Sequence, residues 1–181
     1  MLQPTTATRR DIIATNAILG ATLLIAAVGT VTIGGAWYFQ YGLGLAPCPL
    51  CLQQRWPYYV AIPLAFVVAL GAKANAPRAM LRAGLVIIVL AMLVGAGLGL
   101  YHAGVEWKWW EGPTDCAGAG FSPGGAAGGL LKRMQETRVV RCDEAAWRDP
   151  LIGLSLAGYN VLISLALAIV ALVGFKQSGK V

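Results

Sequence analysis

The chain alternates between long apolar runs and shorter polar segments. The apolar runs cover roughly residues 12–33, 58–72, 80–101 and 151–175. A helix needs about 20 residues to cross the hydrocarbon core of a bilayer, and the first, third and fourth runs reach that length unaided. A cleaved signal peptide is the alternative for the first run, but its apolar part exceeds the usual 7 to 15 residues. The pattern therefore predicts membrane-spanning helices rather than a soluble domain.

The second apolar run is too short to cross the membrane by itself. Counting back about 20 residues from Ala72 places the start of this helix near residues 50–53. The helix must then include Gln54 and Arg55 close to its beginning, at the boundary between water and lipid. We predict an all-α membrane protein, a single domain over residues 1–181 built as a four-transmembrane-helix bundle, with helices at about 12–33, 50–72, 80–101 and 151–175.

Four crossings place both chain ends on one side of the membrane. External loops at about 34–49 and 102–150 then lie together on the other side, and they contain all four cysteines. Within the long loop, the segment "LLKRMQETRVV" at 130–140 has an apolar face that suits a short helix on the membrane surface. An ordinary loop helix packed on the protein fits this pattern equally well.

Composition agrees with a membrane protein and excludes some partners. Hydrophobic residues make up 57% of the chain and charged residues 12%, against about a quarter charged in soluble domains. The net charge of +6 comes from scattered Lys and Arg, so no nucleic-acid partner is expected. The two sides of the membrane carry seven basic residues each. Those on the side of the termini are packed into shorter segments, which favours cytoplasmic termini, and paired cysteines on the outer side agree with an oxidising compartment.

The motif Cys48-Pro-Leu-Cys51 is the most informative chemical signal. Such a pair is typical of a redox dithiol, a zinc site, a haem attachment or a structural disulfide. Leu52 stands where haem attachment needs histidine, and Cys116 and Cys142 are too far apart for a second close zinc-ligand pair. No metal is therefore expected. A structural disulfide remains open, although closing so small a loop stabilises little, and we favour redox chemistry.

Helix geometry supports the redox interpretation. With Pro49 at the start of the second helix, Cys51 lies in the first turn, where the helix dipole favours a thiolate. Arg55 lies one turn later on the same face. A thiolate and a cation at the lipid boundary suit electron transfer to a membrane-dissolved acceptor such as a quinone. A snorkelling interfacial role for Arg55 is the alternative. His102 follows the predicted third helix and either contacts the quinone or is structural.

Cys116 and Cys142 form the second pair. Cys116 precedes the Gly-rich segment "AGAGFSPGGAAGG" and Cys142 lies in "VVRCDEAAW". A thiol in flexible surroundings is able to reach a soluble partner and then the Cys48–Cys51 pair. A disulfide that merely closes the loop explains the pair equally well.

Taken together, the chain resembles the disulfide bond formation protein B family, DsbB, over nearly its whole length. The resemblance rests on the four predicted helices, the motif "PCPLCLQQR", the two cysteines of the long loop, and the segments "LYHAGVEWKWWEGPTDC" and "CDEAAWRDPLIGLSLAGYN". It implies an inner-membrane enzyme that re-oxidises a periplasmic thioredoxin-like dithiol protein, DsbA, and passes the electrons to ubiquinone or menaquinone.

The resemblance also implies a role for each cysteine. Cys116 would form the mixed disulfide with the reduced partner, and Cys142 would then attack Cys48. Cys51, freed as a thiolate, would form an adduct or a charge-transfer contact with the quinone, held there by Arg55. The shortened, Gly-rich middle of the long loop departs from the best-known members of the family. Two other functions remain open: a thiol oxidoreductase of the vitamin K epoxide reductase type, and a non-enzymatic membrane scaffold with structural disulfides.

Overall fold

The computed structural model describes residues 9–113 and 141–179. Four helical segments in this part of the chain are long and apolar enough to cross a membrane, which confirms the predicted all-α architecture with four spans. The helices are α1 (Arg9–Trp37), α2 (Pro49–Gln53), α3 (Trp56–Lys73), α4 (Arg78–Glu106) and α5 (Leu156–Ser178). The short helix predicted at 130–140, like Cys116, lies outside the described residues.

The first span is longer than predicted. Beyond α1 the chain continues as a π-helical turn, Tyr38–Gly42, where a loop from residue 34 was expected. Aromatic side chains hold this extension in place, since the ring of Phe39 lies 5.6 Å from that of Trp147 in the long loop. The extension therefore carries α1 up to the end of the molecule where the cysteines lie.

The second span is broken into two helices. Proline has no backbone N–H and cannot continue the hydrogen-bond ladder of a preceding helix, and Pro57 stands one residue inside α3. The chain makes a turn at Gln54 and Arg55 between α2 and α3. As a result, two polar side chains sit at an interruption of the span rather than on an unbroken helix.

The third and fourth spans also differ from the prediction at the cysteine end. Helix α4 runs to Glu106, about one turn beyond the predicted end at residue 101, and Lys108 follows with a φ of 60°. Helix α5 begins at Leu156 rather than at residue 151, because Asp149 accepts hydrogen bonds from the next backbone N–H groups and forms a turn. Leu151 and Ile152 are apolar although they precede α5, so the fourth apolar run of the sequence is longer than the helix.

Small and apolar side chains fill the space between the helices. One buried cluster draws residues from α1, α3, α4 and α5, among them Ile25, Ala65, Ile88 and Leu167. Large apolar side chains on the outer faces are exposed, for example Val31, Val67, Val94 and Ile169. That distribution suits a bundle whose surroundings are lipid rather than water.

Close contact between α4 and α5 depends on two glycines. A Cβ at Gly99 would lie 3.2 Å from the backbone oxygen of Ala157, and one at Gly95 would lie 3.1 Å from Ser164 Oγ. The Gly-x-x-x-Gly spacing thus serves packing within the bundle, as such spacing commonly does in membranes. Gly97, by contrast, faces open space, with nothing within 4 Å of an added Cβ.

We predict that Gly99→Ala destabilises the folded protein by about 1–3 kcal/mol, because the added methyl group meets the backbone of α5, which cannot move aside alone. Gly97→Ala is the matched control in the same helix and should leave stability unchanged or slightly raised. Thermal unfolding in detergent, followed by tryptophan fluorescence, measures both. Equal midpoints for the two variants would contradict the packing described for α4 and α5.

Candidate functional site

The beginning of α2 brings the two cysteines of the Cys-x-x-Cys motif together. Cys48 is the N-cap residue of α2, and Pro49 occupies the first turn, where proline is favoured. The Cys48 sulfur accepts a hydrogen bond from the backbone N–H of Cys51 at 3.1 Å, and the two sulfurs lie 2.7 Å apart. Both are free cysteines. The geometry therefore suits a pair that interconverts between dithiol and disulfide.

Of the two thiols in this pair, that of Cys48 resists deprotonation. Its hydrogen bond with the Cys51 side chain, its burial and the charge of Cys51 raise its pKa well above the usual range, and the backbone N–H groups of Cys51 and Leu50 offset this only in part. Negative charge on the Cys48 sulfur is therefore costly unless a further donor faces it.

Cys142 comes from the long loop and packs against this pair. It is fully buried and belongs to a cluster with Cys48, Leu50 and Val105, and Cys51 lies alongside. Cys142 is disulfide-bonded. The structure thus brings three of the four predicted cysteines together, and the fourth, Cys116, is not among the described residues.

A charged network on the surface holds the Cys142 segment at the end of α4. The carboxylate of Asp143 accepts hydrogen bonds from Lys108 at 2.6 Å and from Arg141 at 2.7 and 2.9 Å. These hydrogen bonds and charges, those of Arg141 foremost, lower the pKa of Asp143 well below its usual range. Exposed ion pairs contribute little stability individually. The contact between Asp143 and Lys108 nevertheless links the Cys142 segment to the end of α4.

His102 lies inside α4 rather than after it, which corrects the predicted position. The extra turn of α4 buries the imidazole beside the cysteines, with Nε2 3.6 Å from the Cys48 sulfur. The other ring nitrogen, Nδ1, lies 2.7 Å from Nε2 of Gln54. The ring therefore bridges the cysteine pair and the polar interruption between α2 and α3.

A chain of buried hydrogen bonds extends from Gln54 into the membrane-spanning part. Gln54 Oε1 accepts from Asn160 Nδ2 at 2.8 Å, Asn160 Oδ1 accepts from the Tyr58 hydroxyl at 2.8 Å, and that hydroxyl lies 3.0 Å from Ser164 Oγ. From the sequence, Gln54 was placed near the beginning of the second helix, but none of these residues was assigned to the site. Their signal was polar side chains four residues apart in apolar runs, and polar groups within membrane spans usually carry function.

Glu106 was also missed, although it lies one helical turn after His102. Its side chain is 4% exposed, and Oε1 lies 3.8 Å from His102 Nε2. Its second oxygen, Oε2, is buried with no hydrogen-bond partner among the described residues. The carboxyl group therefore adds a titratable side chain to the site.

Arg55 is half-buried at the turn between α2 and α3. Its Nη1 donates a hydrogen bond to Gln40 Oε1 at 2.7 Å, and its charge acts on Cys51. This bond engages one of the five N–H donors of the guanidinium group. Arg55 thus lines the same cavity as Cys51, but it lies at the break before α3 rather than one turn after Cys51 on a continuous helix, as was predicted.

The polar side chains described above line a common cavity of about 260 Å³; they are Cys48, Cys51, Gln54, Arg55, His102, Glu106 and Asn160. Cysteine, amide, guanidinium and imidazole groups meet there, together with apolar walls that include Ile33, Phe39, Trp147 and Ile163. Apolar walls with a few convergent polar groups are typical of small-molecule sites. The cavity suits a largely apolar ligand that also carries hydrogen-bonding groups.

Three potential metal ligands also meet at this cavity. The ligating atoms of Cys48, Cys51 and His102 all lie within 4.8 Å of one another. Spacing along the chain did not indicate this group, because it depends on the packing of α4 against α2. Whether the group suits a metal or thiol chemistry depends on which nitrogen of His102 carries the proton.

The chain is similar to a protein family and to individual proteins that are described as disulfide bond formation proteins. The family model described as "Disulfide bond formation protein DsbB" matches residues 19–174. An uncharacterized protein of Rickettsia prowazekii is 24% identical over 81% of each chain. "Disulfide bond formation protein B" of a Polaromonas species is 28% identical over 75% of this chain and 77% of its own length. "Disulfide bond formation protein B 1" of Pseudomonas fluorescens Pf0-1 is 36% identical over 44% of this chain and 45% of its own.

No solved structure gives a significant match. The family match covers all four spans, apart from the beginning of α1 and the end of α5, and includes the cysteine pair and the long loop. This chain, a membrane protein with a role in disulfide bond formation, therefore belongs to the DsbB family.

Proposed function

We propose that this chain is a membrane thiol oxidase that re-oxidises a periplasmic thioredoxin-like dithiol protein of the DsbA type and passes the electrons to ubiquinone or menaquinone. The reaction would drive disulfide formation in secreted proteins. One observation carries the proposal: Cys142 of the long loop packs against Cys48, whose neighbour Cys51 lines a cavity together with Arg55. Membership of the DsbB family supports the thiol chemistry.

The proposed relay moves two electrons through successive thiol–disulfide exchanges. The partner dithiol becomes a disulfide while the disulfide of the long loop is reduced, and Cys116 forms the intermediate bond with the partner. The Cys142 thiolate then attacks Cys48, so that a Cys142–Cys48 bond forms, the Cys48–Cys51 bond breaks and Cys51 leaves as a thiolate. The Cys116 thiolate finally attacks Cys142, so that the disulfide of the long loop forms again, the Cys142–Cys48 bond breaks and Cys48 leaves as a thiolate. Burial of Cys142 against Cys48 supports Cys48 as the sulfur that Cys142 attacks.

The cavity has the groups that a quinone requires. Arg55 would hold one of its oxygen atoms, because the guanidinium group carries N–H donors, His102 would line the same site, and the apolar walls would hold its ring. A bound quinone supplies the final two-electron oxidation and takes up two protons. On the side of the protein, Arg55 stabilises the thiolate of Cys51, and the apolar walls keep water from the reacting sulfur.

The proposed orientation has the termini in the cytoplasm and both cysteine loops in the periplasm. It rests on the density of basic residues in the short segments on the side of the termini, and on the burial of Cys48 and Cys142 in one cluster at the other end.

Replacement of Cys142 tests the relay most directly. In Cys142→Ser the relay should stall, because the disulfide of the long loop can no longer form. The lone Cys116 thiolate should instead attack the disulfide of the oxidised partner, and the mixed disulfide should accumulate on a non-reducing gel, since no Cys142 thiol is present to release Cys116. The matched control, Cys116→Ser, should accumulate none. A complex that forms through Cys48 in the Cys142→Ser protein would overturn the order of the relay.

Replacement of Arg55 tests the quinone site. Loss of a charged hydrogen bond costs about 1.5–3 kcal/mol, so Arg55→Ala should raise the apparent Michaelis constant for quinone by about one to two decades. Arg55→Lys should restore part of the loss, since lysine keeps the charge without the planar fork. Arg82→Ala is the control, because Arg82 packs on Phe175 near the end of α5.

Single-turnover oxidation of the partner by the disulfide of the long loop should be unchanged in Arg55→Ala, because that step does not involve the cavity. If partner oxidation collapses while the dependence on quinone is unchanged, Arg55 acts in folding or docking instead.

Orientation is tested with a membrane-impermeant thiol reagent on reduced, intact cells after the outer membrane has been made permeable. Cysteines of the external loops should be labelled. Ala74→Cys, in a background with all native cysteines replaced by serine, should react only after the inner membrane is opened, because Ala74 lies in the exposed turn between α3 and α4. The reverse pattern would refute the topology.

A further inference from the structure

His102 is the only histidine of the chain, and its two ring nitrogens face different chemistry. Nδ1 faces the side-chain amide of Gln54 at 2.7 Å. Nε2 faces the Cys48 sulfur at 3.6 Å and Glu106 Oε1 at 3.8 Å, and the ring also reaches the backbone of Cys142. Neutral imidazole carries its proton on one nitrogen only. The tautomer therefore decides what His102 offers to the cysteine pair.

The orientation of the neighbouring amides follows from two backbone oxygens. The backbone oxygen of Gly95 lies 3.2 Å from Asn160 Nδ2, and a carbonyl only accepts, so the NH₂ group of Asn160 must be on that side. The same NH₂ group lies 2.8 Å from Gln54, which must present Oε1. The NH₂ group of Gln54 then faces His102, and it also lies 3.4 Å from the backbone oxygen of Leu50.

The orientation of these two amides determines which nitrogen of His102 carries the proton. Gln54 donates to Nδ1, so Nδ1 carries no proton and the ring proton is on Nε2. Rotating the Gln54 amide by 180° would set its NH₂ group against that of Asn160, and a buried donor without an acceptor is costly. The Nε2–H group thus points to the side of the ring where Cys48 and Glu106 lie.

We propose that Gln54 and Asn160 are positioning residues that hold His102 as the Nε2–H tautomer, so that the ring stabilises negative charge on the Cys48 sulfur. Cys48 becomes charged when it leaves the Cys142–Cys48 disulfide: an incoming thiolate bonds to Cys142, the bond to Cys48 breaks, and the electron pair stays on Cys48. The backbone N–H of Cys51 and the Nε2–H group both face that sulfur. The role of His102 in thiol–disulfide exchange rests on the proposed function, whereas the assignment of its tautomer rests only on the hydrogen bonds of Gln54 and Asn160.

The same tautomer argues against a metal at the three-ligand group. A histidine that binds a metal through Nε2 has lost that proton, and it usually donates its Nδ1–H to an acceptor. Here Nδ1 faces the NH₂ group of Gln54, which accepts nothing. The hydrogen-bond network therefore favours thiol chemistry at Cys48, Cys51 and His102 over coordination.

The tautomer is directly measurable by ¹⁵N NMR of the side chain, because the chain has a single histidine. Protein labelled with ¹⁵N-histidine, with all cysteines reduced, is purified without a histidine tag in detergent micelles or nanodiscs. We expect the protonated nitrogen to be Nε2. Tyr58→Phe is the matched control, because it removes a member of the network beyond Asn160 while Gly95 still orients that amide, so the tautomer should be unchanged.

Two substitutions of Gln54 should alter the spectrum. Gln54→Glu presents an acceptor to Nδ1 and should move the proton to that nitrogen, and Gln54→Met removes the donor and should give a mixture of tautomers. In a single turnover without quinone, followed by acid quench and thiol alkylation, both should slow electron transfer from the partner to the Cys48–Cys51 pair by about ten- to a hundredfold.

An Nδ1–H tautomer in the wild-type protein would overturn the proposal, as would a Gln54→Met spectrum identical to that of wild type. So would tight binding of Zn²⁺ by the reduced wild-type protein with loss of the Nε2–H signal. An altered tautomer with unchanged exchange rates would refute the role in exchange. Failure of the proposed function has a different signature: the Nε2–H tautomer with no electron transfer to quinone in the wild-type protein.

Discussion

The hydrogen bond between Gln54 and Asn160 is the contact on which the rest of the site depends. Buried polar groups in a membrane protein must find partners within the protein, because lipid offers none. This bond joins the interruption of the second span to the fourth, and through Gly95 and His102 it also engages the third. The spans that surround the cysteine pair are thereby held in one register.

The position of the cysteine pair follows from a second constraint, which is local. Pro49 favours the start of a helix and Pro57 prevents its continuation, so α2 is limited to a little more than one turn. That turn has Cys48 at its N-cap and Cys51 inside it, and Gln54 and Arg55 follow at the break. A short helix between two prolines thus brings two sulfurs, an amide and a cation to the wall of one cavity.

Much of this arrangement could be predicted from the sequence, because it depends on neighbours along the chain. The position of Pro49 indicated that Cys51 lies in a first helical turn, as it does, and the short second run placed Arg55 near the beginning of the longer helix. His102 was assigned to a loop, since nothing in the spacing indicated that α4 continues through Glu106. Gln54, Asn160 and Glu106 were missed for a related reason: their importance arises from contacts between helices distant in the chain, which local periodicity does not encode. The start of α5 was wrong because Leu151 and Ile152 are apolar but belong to the Asp149 turn.

In the proposed mechanism, Cys48 and Cys51 deliver their electrons to a quinone. This electron transfer is tested most directly with the double variant Cys116→Ser/Cys142→Ser, whose remaining cysteine pair is reduced and mixed anaerobically with ubiquinone while quinone absorbance is followed. We expect about one quinone to be reduced per chain, and we expect the reaction to be lost when Cys51→Ser is added. Quinone that stays oxidised, or that is reduced equally well without Cys51, would contradict the mechanism.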